Sequence, residues 1–282
     1  MRHEYAMRRM LRSELDQVVQ WAVTEGWNPG LHDADAFFAT DPGGFFVGML
    51  DGELIASISI VTYRDAYAFL GFYIVRPEYR GNGFGLRLWD YALEQVNASP
   101  IGLDGVVAQI PAYERSGFTL AYRSIRYAAT VNTPAAGAAE VSAVDKTDLD
   151  EVLKYDARVF GAPRTEFLEA WLRQPGLHAR LARDAGRVSG YGVVRPAVHG
   201  YRVGPLFADS RAIAETLLDA LLATIPVGAN VSIDVPDANP AALGIVEVRG
   251  MHPEFETARM YRGGTPQFAP ENVYGVTSFE LG

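Results

Sequence analysis

The 282-residue chain contains no cysteine, which excludes disulfides, thiolate metal sites and covalent catalysis through a cysteinyl intermediate. Histidine is sparse. The five present (His3, His32, His178, His199 and His252) are scattered without a His-x-x-x-His pair, so each reads as structural or solvated, and no metal is expected. Basic residues are outnumbered, 25 Lys and Arg against 34 Asp and Glu, for a formal charge of −9. With no basic block and no arginine-rich helix, nucleic acid is not an expected partner, and an acidic surface mildly favours a cationic one. No apolar run is long enough to span a bilayer and no basic-plus-apolar leader opens the chain, so it reads as soluble and cytoplasmic, without a membrane partner. What is abundant is core-forming material: 49% hydrophobic residues and 21% charged ones. The length suits two domains of roughly 140 residues each.

The most informative segment runs from Phe72 to Leu93. An apolar strand ending Tyr73-Ile74-Val75 enters a charged loop through Arg76-Pro77-Glu78, continues as Arg80-Gly81-Asn82-Gly83-Phe84-Gly85, and opens a helix with apolar residues at helical spacing. Glycines let backbone N–H groups approach a ligand that side chains would hold away. A helix N-terminus adds unpaired donors and the positive end of a dipole, so the loop is built to receive an anion, most plausibly a phosphate. A Walker A loop would end in Gly-Lys-Ser or Gly-Lys-Thr, whereas Gly85-Leu86-Arg87 stands here. A dinucleotide fingerprint would place its third glycine one position later.

What remains, Arg-x-x-Gly-x-Gly, resembles the pyrophosphate loop of the GNAT superfamily of acyl-CoA-dependent N-acetyltransferases. The resemblance implies that the loop amides hold the coenzyme A pyrophosphate and that the preceding strand pairs with the pantetheine arm. A second element supports it. A buried strand expected at 104–109 leads into Ile110-Pro111-Ala112-Tyr113-Glu114-Arg115-Ser116-Gly117-Phe118, which resembles the family's Tyr-Glu-x-x-Gly-Phe element. It reads as a short helix opened by Pro111 and ended by Gly117. The resemblance makes Tyr113 the donor to the departing thiolate. The family usually has an Asn a few residues before this Tyr; here Gln109 and Pro111 occupy the neighbourhood.

Along the chain the elements alternate as in a mixed α/β domain. A short strand at 3–7, helices at 13–25 and 33–39, a hairpin of 45–50 and 53–61 about Asp51-Gly52, and a strand at 67–75 precede the loop. This order resembles the GNAT fold over roughly residues 3 to 130. Residues 131–139, with Asn132-Thr133-Pro134 and a small-residue run, read as a linker. The second half, 140–282, restarts the same order: helices at 148–159 and 165–173, a hairpin of 179–183 and 188–194, a strand at 201–208, a helix at 212–223, a strand at 231–235 and a short helix at 239–246. It reads as a degenerate second copy. In place of the glycine loop it has Leu206-Phe207-Ala208-Asp209-Ser210-Arg211-Ala212, whose Asp209 would repel a pyrophosphate, so this copy is expected to bind no coenzyme. The implied class is α/β (α+β): tandem, mixed, mostly antiparallel central sheets flanked by helices.

The expected activity is transfer of an acetyl group from acetyl-CoA to the primary amine of a small molecule or protein, by direct attack in a ternary complex. Tyr73, Ile74 and Val75 are expected to hold the pantetheine and offer N–H groups to the oxyanion. Arg80, Gly81, Asn82, Gly83, Phe84 and Gly85 are expected to hold the pyrophosphate. An ammonium group cannot attack, so a base is needed. Glu25 and Asp33 lie in the segment that usually frames the acceptor in this family, with Glu78 near the loop, and Trp27 and Tyr63 are candidate pocket walls. The rival reading is an acyl-CoA-binding sensor or interaction module without turnover.

Overall fold

A computed structural model describes residues 4–64, 66–132 and 141–282. The first half comprises β1 (Tyr5–Arg9), α1 (Arg12–Thr24), α2 (Asp33–Thr40), β2 (Phe45–Leu50), β3 (Glu53–Tyr63), β4 (Tyr67–Val75), α3 (Phe84–Glu94), β5 (Ile101–Val106), α4 (Ile110–Arg115) and β6 (Thr119–Thr130). The second half repeats the same ten elements in order. They are β7 (Val141–Ala143), α5 (Leu149–Phe160), α6 (Thr165–Trp171), β8 (His178–Asp184), β9 (Arg187–Pro196), β10 (Tyr201–Ala208), α7 (Arg211–Leu222), β11 (Asn230–Pro236), α8 (Pro240–Val248) and β12 (His252–Arg262). A final short strand, β13 (Val273–Gly275), pairs with β10. The stretch expected as a linker lies, from residue 133 onward, outside the described residues.

Local chemistry accounts for these elements. In α1, Leu15, Val18 and Ala22 recur at helical spacing and are buried, while the Glu14 carboxylate accepts from the Leu11 N–H at 2.8 Å and closes the first turn. Asp51 and Gly52, both at positive φ, make the tight β2–β3 turn. Two boundaries differ from the sequence reading. The strand expected at 104–109 is β5, Ile101–Val106, because its first residues pair in parallel with Ala68–Leu70 of β4, and residues 107–109 instead form a 3-10 turn into α4. β12 was not anticipated. Its Ala258 to Tyr261 stretch is buried on both faces, so no period of two marks it.

The sheet is continuous across both halves, in the order β1-β2-β3-β4-β5-β12-β6-β11-β10-β9-β8-β7. At its centre the two halves exchange their last strands. β12 pairs antiparallel with β5 of the first half (Met260 opposite Leu103), and β6 pairs antiparallel with β11 of the second (Ile233 opposite Tyr127). β6 and β12 lie against each other. One core layer joins α1, α2, α5 and α6, with Phe37 stacked on Trp171 at 5.9 Å between ring centroids. Around α3 and around α7 and α8 lie two separate cores.

Buried ion pairs cross the boundary between halves. Arg126 of β6 binds Asp234 of β11 through two bonds of 2.7 and 3.1 Å, and Arg202 of β10 binds the same carboxylate. Arg259 of β12 donates to Asp104 of β5, with its Nε at 2.9 Å. Burial alone would raise Asp234, but the two guanidiniums outweigh it and hold the carboxyl below its ordinary value. Its contribution to stability is therefore complete above the unfolded-state pKa of about 4 and is lost as pH falls through the lower folded value. Asp234→Ala leaves two buried cations without a counterion. It should cost about 3–5 kcal/mol in urea unfolding at neutral pH, with the deficit narrowing as the pH is lowered below about 4.

Candidate active site

β4 carries a bulge. Ser57 opposes Ile74 and Ser59 opposes Gly71, leaving Phe72 and Tyr73 against a single residue of β3, with Phe72 at φ +46° and the Ser57 hydroxyl donating to the Phe72 carbonyl at 2.8 Å. Beyond Leu70 and Leu103 the parallel β4–β5 pairing stops. The strands splay, and the β4 edge from Gly71 to Val75 faces a groove instead of a neighbouring strand.

At the end of β4 the glycine loop opens onto the same groove. Gly81 and Gly83 have φ of +78° and +80° and face open space, so their need for glycine is conformational. Gly85 serves close packing: a Cβ there would lie 2.7 Å from the Tyr73 hydroxyl and 2.8 Å from Val75. Among the described residues, nothing accepts from the N–H groups of Gly81, Asn82, Gly83, Phe84 and Gly85, at the N-terminus of α3. The Asn82 side chain turns inward and donates to the carbonyls of Tyr79 and Arg80. These free amides border a cleft of about 950 Å3, whose lining includes Ile74, Val75, Arg80, Arg115 and Arg262. That volume lies within the range of cofactor sites.

Tyr113 lines this cleft and also a smaller cavity of about 50 Å3 between β4 and β5. Its ring stacks on Trp89 at 5.9 Å and fits against Gly105, where a Cβ would come within 2.2 Å of it. Burial pushes its phenol up to about 12, against a smaller lowering by the Val106 amide. Trp27, Tyr73 and Val106 also line both cavities, so the four residues surround their junction.

The acidic candidates fare differently from expectation. Glu25 lines the large cleft, but its carboxylate is engaged by Arg80, which also donates from Nε to the Val75 carbonyl at 2.7 Å. Asp33, only 1% exposed, lines neither cavity. It accepts from Arg195 at 2.8 and 3.0 Å and from the Gly30 amide at 2.9 Å, and so clamps α2 to β9 of the other half. Glu78 is exposed and paired with Arg76. Tyr63, expected as a pocket wall, is buried, and its hydroxyl donates to the Leu281 carbonyl at 2.6 Å. Among the described residues, no three His, Asp or Glu side chains gather as a metal site.

What the sequence does not tell is where the terminal Phe279-Glu280-Leu281-Gly282 stretch packs. After β13 the chain crosses to the first half and packs Phe279, Glu280, Leu281 and Gly282 over the bulge of β4. A Cβ on Gly71 would sit 2.1 Å from the Glu280 carbonyl oxygen. Phe279 and Glu280 line the small cavity beside Tyr113, together with Phe255 and Thr257 of β12. The tail's apolar composition was visible, but no local pattern tells which strand it will cover. In the second copy the corresponding loop is filled from within. Asp209 accepts from Tyr155, Arg158 and Asn272, the Ser210 hydroxyl accepts from the Ile213 amide, and Arg211 pairs with Glu215.

Such a site, a splayed strand pair beside free amides at a helix N-terminus, offers hydrogen-bond donors to an anion. The chain matches the acetyltransferase (GNAT) family over residues 8–118 and an acetyltransferase (GNAT) domain over residues 152–275. It is 35% identical over 265 residues to the holothin acyltransferase of a Pseudoalteromonas species, covering 94% of this chain and 90% of the relative. It is also 23% identical to an uncharacterized N-acetyltransferase of Bacillus subtilis, over 91% of each chain. In fold it resembles a putative acetyltransferase from Pyrococcus horikoshii, with TM-score 0.84, 23% identity, and coverage of 99% of this chain and 96% of that one. A tandem GNAT protein from the clavulanic acid biosynthesis pathway follows the same fold, with TM-score 0.64, 15% identity, and coverage of 94% and 100%. The protein belongs to the GNAT acetyltransferase family, as a tandem member with a GNAT match in each half.

Gly71→Ala should push the tail off β4, because the clash is with backbone that cannot rotate away. The expected result is a loss of about 1–3 kcal/mol with faster hydrogen exchange confined chiefly to residues 277–282, read by mass spectrometry.

Proposed function

We infer that this enzyme transfers an acetyl group from acetyl-CoA to a primary amine in a ternary complex, at a centre in the first half. The observation that carries the reading is the row of free amides from Gly81 to Gly85, continuous with the unpaired edge of β4 and ending at Tyr113. In this reading those amides hold the pyrophosphate with the α3 dipole behind them. Arg80 adds a guanidinium, which a diphosphate would draw away from Glu25. The backbone of Tyr73, Ile74 and Val75 carries the pantetheine along the splay and offers N–H groups to the developing oxyanion. The thioester then lies at the junction of the two cavities, with the acceptor arriving through the smaller one, beside Trp27. We assign no coenzyme to the second half, since Asp209 and its partners occupy the equivalent loop.

Tyr113 is protonated at any working pH, because burial raises it. A phenol of pKa near 12 gives its proton only to a more basic partner. The departing thiolate forms in the same buried place, where desolvation raises its basicity in the same sense. Tyr113 thus stabilises the leaving sulfur by a donated hydrogen bond, with full proton transfer as the bond breaks. Without cysteine, the acyl group has no thiol on the enzyme to visit, in keeping with direct attack.

Gly83→Glu, which fills and charges the amide nest, should abolish acetyl-CoA binding in calorimetry while circular dichroism stays unchanged; unaltered affinity would sink the assignment. Tyr113→Phe should lower kcat on the order of 10²-fold with the dissociation constant for acetyl-CoA preserved, and equal loss of both would make the tyrosine structural. Released CoA thiol, assayed with holothin and a panel of primary amines, tests transfer itself. Tight acetyl-CoA binding with no turnover across that panel would favour the sensor reading.

A further inference from the structure

Glu280 is 2% exposed, and among the described residues no other residue donates a hydrogen bond to its carboxylate, which has only its own backbone amide beside it. Every other fully buried carboxylate named above is held by arginine: Asp33 by Arg195, Asp104 by Arg259, and Asp234 by Arg126 and Arg202. Asp156, buried between α5 and β9, is likewise held by Arg164 at 2.8 Å. A carboxylate buried without a partner is costly, and a purely structural site would pair it as the other four are paired. Glu280 instead lines the small cavity, which Tyr113 lines as well and whose other lining residues include Trp27, Phe72, Phe255 and Phe279.

Resting on the transferase reading above, we propose that Glu280 is the base that receives a proton from the acceptor amine, so that the second half supplies a catalytic residue to the centre in the first. The acceptor enters as an ammonium ion and gives one proton to the Glu280 carboxylate. The freed nitrogen lone pair forms the C–N bond at the thioester carbonyl carbon. As the tetrahedral adduct collapses, the C–S bond breaks and its electron pair leaves on sulfur, which takes a proton from Tyr113. The second nitrogen proton restores Tyr113, and the proton on Glu280 passes to solvent. The sum is ammonium plus acetyl-CoA giving amide, CoA thiol and one proton. The aromatic walls also bound the acceptor: the amine must sit on a compact or flat apolar body, since the cavity offers no other free charge.

The groups that face Glu280 set its titration. Arg202 of β10 and Arg126 of β6, already bound to Asp234, and Glu280's own backbone amide draw it down, Asp33 of α2 opposes them, and Asp104 is tied to Arg259. Burial is the largest influence and lifts the carboxyl above its ordinary value. The acid limb of kcat/KM should therefore lie above the usual carboxylate range.

The test compares wild type with Glu280→Gln, using acetyl-CoA and whichever amine the thiol-release screen shows to be acetylated. Expected for the variant are a kcat lower on the order of 10²-fold or more, an unchanged dissociation constant for acetyl-CoA, and loss of the acid limb. Its residual rate should rise with pH through the amine's own pKa, because only free amine can then attack. Its melting temperature should hold or rise, since a buried unpaired charge has been removed. Wild-type kcat and pH profile in the variant would overturn the role of Glu280 alone. So would a lower melting temperature combined with lost acetyl-CoA binding, which would mark a structural residue. A wild-type protein that acetylates nothing would overturn the transferase reading and this proposal with it.

Discussion

The exchange of β6 and β12 at the middle of the sheet is the constraint on which the rest depends. Because each half is completed by the other's last strand, neither can present its fifth strand in the right place alone. The guanidinium–carboxylate pairs that cross the boundary fix this arrangement in register: Asp104 with Arg259, and Asp234 with Arg126, the last carboxylate being held also by Arg202 of its own half. Such pairs contribute little net stability against apolar substitutes. They tolerate no misalignment, however, since a one-residue slip would leave several charges buried and unmatched. A third clamp, Asp33 on Arg195, binds the helical layer of the first half to β9. The site lies beside these pairs, and its floor is built from both repeats.

Within that frame, two local departures from regular sheet make a groove. The bulge at Phe72 turns β4 away from β5, and the end of parallel pairing after Leu70 leaves backbone groups facing a cavity rather than a strand. Glycine then does three different jobs close by. Gly81 and Gly83 supply the left-handed backbone that exposes the loop amides, Gly85 lets α3 approach Tyr73, and Gly71 admits the tail. The second copy has the same elements, but its own side chains satisfy the equivalent loop.

Much of this was legible in the chain. The repeated order of elements, the β2–β3 hairpin at Asp51-Gly52 and the glycine loop ahead of α3 could be read because local chemistry specifies them: turn residues, helical spacing, glycines ahead of a helix. Asp33 was misread for the opposite reason. An acid near a helix start looks the same whether it awaits a ligand or a distant arginine, and Arg195 lies far along the chain. Tyr63 is likewise tied to a remote partner, the Leu281 carbonyl, while Glu25 lines the large cleft with its carboxylate held by Arg80. Glu280 could not be found by any local rule, since its significance is the absence of a partner, which only the folded molecule reveals.

The insertion of β12 also bears on how the chain acquires its structure. Residues of β5 and β12 that pair directly are separated by more than half of the polypeptide, so the central ladder has a very high contact order and closes late. Until then β5 and β6 display open hydrogen-bonding edges, the kind of surface on which nascent chains associate with one another. The strand exchange thereby lengthens the interval during which these strands lie uncovered, a cost that falls on the folding chain and not on the finished molecule.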